Sequence, residues 1–238
     1  MRGMRALVER FGCRPLAYII LEGMGFGTIY TRGLGVSRYR IQVTTPGGHS
    51  WSSYGTPSAI HEISRLVSRL SDMSLPGNPR TTLNVGVISG GTTVNTIASQ
   101  ASLELDLRSV SSQTLRYIEL QVATLVENFQ QENVKFIIEP IGKREAGEIA
   151  MDHPLVEVAR CVIEDLGFTP KLDIGSTDAN VPLSLGLPAI CIGLSHGAKA
   201  HTQDEFIFTA PVRSGLTQVL QLAQVAWVVG VRPPGAGQ

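Results

Sequence analysis

Two short polar segments of this 238-residue chain contain residue types that bind anions and metals. The first, Gly175–Asn180 (Gly-Ser-Thr-Asp-Ala-Asn), is typical of a turn at a helix start, where free backbone N–H groups can bind an anion. The second contains His196 and His201, and His201 is followed by Asp204 and Glu205. A neutral imidazole is a common metal ligand, and a neighbouring carboxylate can orient it. An apolar strand predicted between the two segments would return the chain and bring them into one pocket.

Glu22 is a further candidate metal ligand, because it follows an apolar strand predicted over 16–21. In open α/β sheets, ligands collect at the carboxyl ends of the strands. A carboxylate at such a position is costly unless it is solvated, paired or bound to a metal. By residue type alone, Glu22 is either a metal ligand or an ordinary charge at the end of a strand.

Three more polar residues are candidates for substrate contacts. His49 follows two glycines in a turn, where a ligand can approach the backbone closely. Asn95 lies in a glycine-rich hairpin connection, where asparagine is often structural. Arg108 can pair with Asp106 or bind a carboxylate through two parallel hydrogen bonds. Taken singly, His49 and Asn95 are ordinary turn residues.

The elements that position these residues alternate between helix and strand. Helices are predicted over 2–11, 57–70, 115–129, 154–166 and 210–229, and strands over 16–21, 37–45, 81–88, 101–107, 134–138, 171–173 and 187–193. The middle of the chain has the order β-α-β-β-α-β, which is typical of a ferredoxin-like sandwich. The continuous apolar strands at 16–21 and 187–193 predict burial on both faces, in a mostly parallel sheet with helices on both faces. We therefore predict an α/β chain in which a ferredoxin-like domain at 36–146 interrupts a domain formed by 1–35 and 147–238.

The composition excludes several classes of partner. Lys plus Arg and Asp plus Glu both number 20, and no basic run occurs, so we expect no binding to nucleic acid or to a membrane surface. No apolar segment approaches the ~20 residues that cross a bilayer. Cys13, Cys161 and Cys191 have no metal-ligand spacing and lie in apolar surroundings. We expect buried thiols and a cytoplasmic protein, unless a missing upstream segment directs export.

The ordered set of these residues resembles the di-zinc exopeptidase and aminoacylase superfamily. The resemblance rests on Glu22 at a strand end, Gly-Gly-His49-Ser, Gly-Gly-x-x-x-Asn95, Asp-Leu-Arg108, Gly-Ser-Thr-Asp178-Ala and His201. The superfamily includes carboxypeptidase G, acetylornithine deacetylase, succinyl-diaminopimelate desuccinylase and peptidase T. The sequences Gly-Gly-His-Ser-Trp and Ser-Thr-Asp-Ala-Asn are most similar to its peptidase T-like aminopeptidases. The resemblance implies a metal-dependent hydrolase of peptide or N-acyl amino acid amide bonds.

The resemblance also implies roles for the residues of the inserted domain. That domain would be a lid that pairs two subunits edge to edge into a homodimer. His49 would reach the other subunit's site and stabilise the tetrahedral oxyanion. Asn95 and Arg108 would bind the carboxylate of a small peptide or N-acyl amino acid.

In the interrupted domain, the resemblance implies substrate contacts and metal ligands. Gly175, Ser176 and Thr177 would add contacts to the substrate. Glu22 would bind one zinc ion and His201 the other, and two zinc ions in a complete family member activate water and polarise the scissile carbonyl.

The chain departs from the family pattern, because it contains no His-x-Asp and no Glu-Glu sequence. In the family, both motifs precede the strand that ends at Glu22. Each zinc would keep one protein ligand, whereas catalytic zinc has about three. We therefore expect an N-terminally truncated member with weak or absent zinc and no hydrolysis by the isolated chain. Truncation would expose a strand edge or an apolar face, so we also expect a dimer or larger assembly.

Two other functions are compatible with the sequence. The chain could be a non-catalytic homodimerisation or carboxylate-binding module that keeps the sandwich with Asn95 and Arg108. It could also be the product of a decaying gene that folds without a specific function. Stoichiometric zinc would favour the enzyme, and ligand binding without a metal would favour the module.

Overall fold

The computed structural model describes residues 1–200 and 202–229, which form two compact units. The split unit consists of Met1–Leu34 and the described residues from Glu145 onward, and the inserted unit consists of Gly35–Arg144. Each unit has a buried apolar core of its own. The chain therefore buries two modest cores rather than one large one.

Six helices and thirteen strands make up the described part of the chain. In chain order they are α1 (Arg2–Phe11), β1 (Tyr18–Glu22), β2 (Thr28–Gly33), β3 (Gly35–Thr44), β4 (Gly48–His49), α2 (Ala59–Ser71), β5 (Thr81–Gly90), β6 (Thr96–Ile97), β7 (Gln100–Ser109), α3 (Ser112–Glu127), β8 (Lys135–Arg144), β9 (Gly147–Glu148), α4 (Pro154–Asp165), β10 (Lys171–Gly175), α5 (Asn180–Ser184), β11 (Ala189–Gly193), β12 (Gly197–Ala198), β13 (Phe206–Ile207) and α6 (Val212–Val229). Among the described residues, no helix is both long and apolar enough to cross a bilayer.

The main sheet of the split unit has the strand order β1-β11-β2-β10, and β9 pairs with β2. β1 runs parallel to β11, and β10 runs parallel to β2, but β2 is antiparallel to β11 and to β9. The sheet is therefore mixed, whereas the sequence predicted a mostly parallel one. The connection at 23–27 is too short for a crossover helix, so β2 must run opposite to β1.

The two apolar strands predicted to be buried on both faces differ in the structure. All five residues of β11 are buried, as predicted. β1 instead lies at the edge of the sheet, and Leu21 is 44% exposed. Burial on both faces was therefore the wrong prediction for β1, because an apolar sequence does not indicate which strand is outermost. A Cβ atom on Gly193, at the end of β11, would lie 2.2 Å from the carbonyl carbon of Gly25, so a side chain there would displace the connection between β1 and β2.

The inserted unit has the predicted β-α-β-β-α-β order in β3, α2, β5, β7, α3 and β8. Its four-stranded sheet has the order β5-β7-β3-β8, and every neighbouring pair is antiparallel. Helices α2 and α3 pack their apolar stripes on this sheet, where the side chains of Ile63, Leu66 and Ile118 are at most 1% exposed. The Ser111 hydroxyl begins α3 by accepting a hydrogen bond from the backbone N–H of Thr114. The arrangement is the ferredoxin-like sandwich expected from the sequence.

Helix α4 begins at a histidine cap that should make the split unit sensitive to acid. Nδ1 of His153 accepts a hydrogen bond from the backbone N–H of Leu155 at 3.1 Å. Burial lowers the pKa of His153, and the charge of Asp152 opposes this shift only in part. Protonation of Nδ1 removes the acceptor, so the stabilisation is complete above the unfolded-state pKa of about 6.5 and is lost as the pH falls through the folded-state pKa.

We expect His153→Asn to keep the cap and to abolish this part of the pH dependence. Between pH 7.5 and pH 5, the free energy of unfolding of the wild-type protein should fall by about 1 kcal/mol more than that of His153→Asn, because an N-cap usually contributes about this much. Urea unfolding followed by circular dichroism measures both values. Equal losses in the two proteins would show that the imidazole cap does not contribute.

Candidate functional site

The Gly-Ser-Thr-Asp turn after β10 is held by Asn180, whose side chain has no solvent exposure. Its Oδ1 accepts a hydrogen bond from the backbone N–H of Thr177 at 3.0 Å. Its Nδ2 donates to the carbonyl oxygens of Leu34 and Glu145, each at 2.8 Å. In sequence, Leu34 and Glu145 directly precede and follow the inserted unit. One buried amide therefore fixes the turn and the backbone of both connections.

The turn uses internally two of the backbone N–H groups that we expected to bind an anion. The N–H of Thr177 donates to Asn180, and the N–H of Ala179 donates to the Thr177 hydroxyl at 3.2 Å. The helix that follows, α5, has five residues. Neither of these two N–H groups is therefore free to bind an anion. Substrate contacts by Gly175, Ser176 and other groups of Thr177 stay a prediction.

Glu22 lies exposed at the carboxyl end of β1, in register with Gly193 of β11. The thiol of Cys191, also on β11, is buried, and burial raises its pKa to about 12. A hydrogen bond from the Thr177 hydroxyl lowers this pKa, whereas the negative charges of Glu22 and Asp178 raise it further. The structure therefore brings Glu22 and the turn into the surroundings of one buried thiol.

The side chains near Glu22 do not fit a two-zinc centre. Within residues 1–200 and 202–229, no group of three or more His, Cys, Asp or Glu side chains could hold a metal ion. The predicted ligand His201 lies outside the described residues, and His196 packs its ring edge-on against Phe26. Since catalytic zinc needs about three protein ligands, the described side chains supply no metal-dependent step.

The three cysteines differ in accessibility. Cys191 is buried, as expected for a thiol in apolar surroundings, but Cys13 and Cys161 are exposed. The expectation was wrong for these two because Cys13 follows the end of α1, and Cys161 occupies the outward face of α4. The two exposed thiols provide an internal comparison for chemical labelling of the buried one.

In the inserted unit, a two-stranded ribbon of β4 and β6 brings His49 and Asn95 together. His49 pairs with Thr96, and the backbone N–H of Ser50 donates to the carbonyl oxygen of Asn95 at 3.0 Å. The backbone N–H of Trp51 donates to Nδ1 of His49 at 3.2 Å. Because Nδ1 is an acceptor, the neutral imidazole carries its proton on Nε2. His49 therefore presents an N–H donor away from the ribbon backbone.

Arg108 lies far from Asn95, because the length of β7 separates them. From Gln100 to Arg108 the strand extends about 26 Å, at about 3.3 Å per residue. Nε of Arg108 donates to one carboxylate oxygen of Asp106 at 2.6 Å, and Nε of Arg38 donates to the other at 2.7 Å. Burial by itself would raise the pKa of Asp106, but the hydrogen bonds from Arg108 and Arg38 outweigh it and hold the pKa below its ordinary value. Asn95 and Arg108 of one chain therefore cannot bind the same small carboxylate.

Two functional side chains were missed by reasoning from sequence. Asn180 was treated only as part of a turn, because its partners Leu34 and Glu145 lie more than 30 residues away. Arg38 was not considered, because only the register of β3 against β7 places it opposite Asp106. The alternation of Arg38 with apolar residues on a predicted strand was the available signal, but it does not identify the partner strand.

Comparison with known proteins agrees with this architecture. A family model described as "Peptidase dimerisation domain" (M20_dimer) matches residues 34–134. Over 182 residues the chain is 27% identical to acetylornithine deacetylase of Myxococcus xanthus, an alignment that covers 70% of this chain and 46% of that protein. These matches fit the M20 peptidase superfamily. The family resemblance predicted from the sequence is thereby confirmed.

Two crystal structures share the fold of this chain. Aminopeptidase PepT from Bacillus cereus ATCC 10987 superimposes with a TM-score of 0.76 at 22% identity, over 97% of this chain and 61% of that one. A tripeptidase from Staphylococcus aureus subsp. aureus Mu50 gives a TM-score of 0.70 at 20% identity, over 86% of this chain and 55% of that one. The predicted α/β fold with an inserted ferredoxin-like domain is confirmed. The chain spans about half the length of the relatives it matches.

Proposed function

We propose that this chain supplies the substrate-binding and oxyanion-binding part of a metal-dependent hydrolase of peptide or N-acyl amino acid amide bonds. The observation that carries the proposal is the fixed tautomer of His49, whose Nδ1 accepts from Trp51 and whose Nε2 is left as a donor. A positioned neutral donor stabilises the negative oxygen that develops when an amide carbonyl becomes tetrahedral. Similarity to a peptidase dimerisation domain and to an acetylornithine deacetylase supports the same reaction class.

Arg108 would bind the substrate's carboxylate, and Asn95 would assist from a second subunit. A guanidinium binds a carboxylate through two parallel hydrogen bonds. Because Arg108 and Asn95 lie at opposite ends of β7, the two act on one substrate only if they come from different subunits of a homodimer. The lid thus places His49 and Asn95 of one subunit beside Arg108 of the other.

The chain by itself would not hydrolyse its ligand. Glu22 and His201 remain proposed zinc ligands, but the described side chains form no metal-binding group of three. The general base that the family pattern would supply in a Glu-Glu sequence has no counterpart in this sequence. Gly175, Ser176 and Thr177 would contact the substrate through groups that Asn180 does not occupy. We place the protein in the cytoplasm and expect no nucleic-acid partner, given its balanced charge.

A non-catalytic dimerisation or carboxylate-binding module is the second candidate function. It is favoured by the compact inserted unit, together with the finding that residues 1–200 and 202–229 contain no metal-binding group of three. The two functions differ in the expected role of His49. A hydrolase site needs a donor for a tetrahedral oxyanion, whereas a carboxylate-binding module has no use for one.

The test compares two ligands of the purified chain by isothermal titration calorimetry. One is an N-acetyl amino acid, and the other is its phosphonamidate analogue, in which tetrahedral phosphorus replaces the amide carbon. We expect at least about tenfold tighter binding of the analogue, since transition-state analogues bind more tightly than substrates. His49→Ala should abolish this preference, and His61→Ala, an exposed histidine of α2, should keep it.

Three results would contradict the proposal. No preference in the wild-type chain, together with Arg108-dependent binding of both ligands, would favour the module. No binding of either ligand would overturn both functions. Tight binding of two zinc ions with hydrolysis of a tripeptide would show that the chain is a complete enzyme.

A further inference from the structure

The outer face of the inserted sheet carries an unequal distribution of charge around Asp106. Arg38 on β3 and Arg108 on β7 each donate through Nε to a different oxygen of this carboxylate. One negative charge is therefore shared by two guanidiniums, which leaves one positive charge without a partner in this group. Because both contacts use Nε, Asp106 does not engage the terminal Nη groups of either arginine. The two Nη groups of a guanidinium can together bind a carboxylate through two hydrogen bonds.

Arg40, two residues from Arg38 on the same strand and face, shows the opposite balance. Its guanidinium pairs with Glu104 at 2.8 Å and lies 3.7 Å from Glu139. Two carboxylates therefore surround one cation. Ordinary surface pairing is complete at Arg40, so the excess positive charge at Arg38 and Arg108 is local and not a property of the whole sheet face.

The neighbouring strands leave room beside this cation pair. The register partner of Arg38 on β8 is Gly142, and a Cβ atom there would make only ordinary contact with Cδ of Arg38, at 3.6 Å. On the other side, β5 places the exposed residues Thr82 and Asn84 opposite Arg108 and Asp106. Where Arg40 has the acid Glu139 beside it, Arg38 has Gly142, which carries no side chain and lies under the stem of Arg38. A ligand can therefore approach both guanidiniums without displacing an acidic side chain.

We propose that Arg38 and Arg108 form a two-guanidinium site that selects acidic ligands with two carboxylates. The proposal rests on the proposed function, in which Arg108 binds the carboxylate of the amino acid portion. Arg38 binds the second carboxylate, such as that of a glutamate or aspartate side chain. Charge-assisted hydrogen bonds of this kind are stronger than neutral ones, so the second acid group contributes to selectivity. The substrate class is thereby narrowed to N-acyl acidic amino acids and peptides that end in an acidic residue.

The test uses N-acetyl-L-glutamate and N-acetyl-L-glutamine, which have nearly the same shape and differ in the second carboxylate. Calorimetry on the full chain should give at least about tenfold tighter binding of N-acetyl-L-glutamate, the effect of one charge-assisted hydrogen bond. Arg38→Gln should remove that difference and leave N-acetyl-L-glutamine within about twofold of the wild-type value. The matched control Arg40→Gln should change neither affinity.

Gly142→Glu provides an independent check that keeps both arginines. The new carboxylate would lie beside Arg38, as Glu139 lies beside Arg40. It should weaken the binding of N-acetyl-L-glutamate and leave that of N-acetyl-L-glutamine unchanged. Equal weakening of both probes by Arg38→Gln, or no effect on either, would overturn the two-carboxylate site. Arg108-dependent binding of N-acetyl-L-glutamine would in that case leave the proposed function standing. Absence of binding for both probes would overturn the proposed function and this site together.

Discussion

Replacing Asn180 with alanine is expected to lower the free energy of unfolding of the split unit by about 3 kcal/mol or more. The change removes three hydrogen bonds of one fully buried side chain. It leaves the N–H of Thr177 and the carbonyl oxygen of Glu145 without their Asn180 partner, and it leaves the carbonyl oxygen of Leu34 with the longer hydrogen bond from the Ser176 hydroxyl, at 3.4 Å. Each buried polar group left unpaired costs about 1–3 kcal/mol, so this loss exceeds that of an ordinary surface substitution.

Asn180→Asp separates the hydrogen bonds from the volume of the side chain. The carboxylate is nearly isosteric and can still accept from the N–H of Thr177, but it opposes two carbonyl oxygens with a negative charge. We expect it to destabilise the unit at neutral pH at least as much as Asn180→Ala, because an unpaired charge is costlier to bury than an absent amide. Asn84→Ala, at an exposed position of β5, is the matched control and should change stability by less than about 0.5 kcal/mol.

Labelling with N-ethylmaleimide under native conditions reports whether the turn itself has opened. In the wild-type chain, the exposed Cys13 and Cys161 should react, whereas the buried Cys191, with a pKa of about 12, should not. The Thr177 turn contacts Cys191, so loss of Asn180 should expose this thiol to the reagent. Urea unfolding and mass spectrometry give the two readouts. An unchanged unfolding midpoint with Cys191 still protected would show that Asn180 does not hold the turn.

The sequence was most informative where a long periodic pattern had only one possible interpretation. The apolar spacing of α2 and α3 and the alternation along β3 and β7 were sufficient to predict the ferredoxin-like order. The directions of short strands could not be predicted, because the residue types of β1 (Tyr-Ile-Ile-Leu-Glu) and β2 (Thr-Ile-Tyr-Thr-Arg-Gly) fit either direction. Only the connection at 23–27 requires them to run in opposite directions. The position of β1 at the sheet edge depends on pairing with β11, far away in sequence.

The candidate site was predictable in residue type but not in geometry. The sequence identified His49, Asn95 and Arg108 separately, and it suggested that Asn95 and Arg108 act together. The structure joins His49 to Asn95 through the β4–β6 ribbon and separates Arg108 by the length of β7. Pairing registers decide both facts, and register is set by packing and turn geometry beyond a local window. The hydrogen-bond partners of Asn180 cannot be predicted from the sequence for the same reason.

Ile88→Lys is expected to convert a homodimer of this chain into monomers. The sheet of the inserted unit has two edge strands, β5 and β8. β8 has features that oppose edge pairing, namely Pro140 and two lysines, whereas β5 (Thr-Thr-Leu-Asn-Val-Gly-Val-Ile-Ser-Gly) contains no charge and no proline. On β5, Val87 is 52% and Ile88 54% exposed, and the segments that flank the β4–β6 ribbon expose Trp51 and Val94. An uncharged apolar edge in a dimerisation domain is the expected place for a second copy.

Sedimentation velocity should give the wild-type chain twice its mass of 25.6 kDa, and Ile88→Lys the mass of a single chain. Ile137→Lys is the matched control, because Ile137 is 59% exposed on the opposite edge strand β8 and should leave the dimer intact. Dissociation by Ile137→Lys alone would move the interface to β8, and a dimer in both variants would place it outside the sheet edges. In the proposed function His49 and Arg108 act on one ligand from different subunits, so monomeric Ile88→Lys should also lose the His49-dependent preference for the phosphonamidate. A monomer that keeps this preference would show that one chain forms the whole binding site.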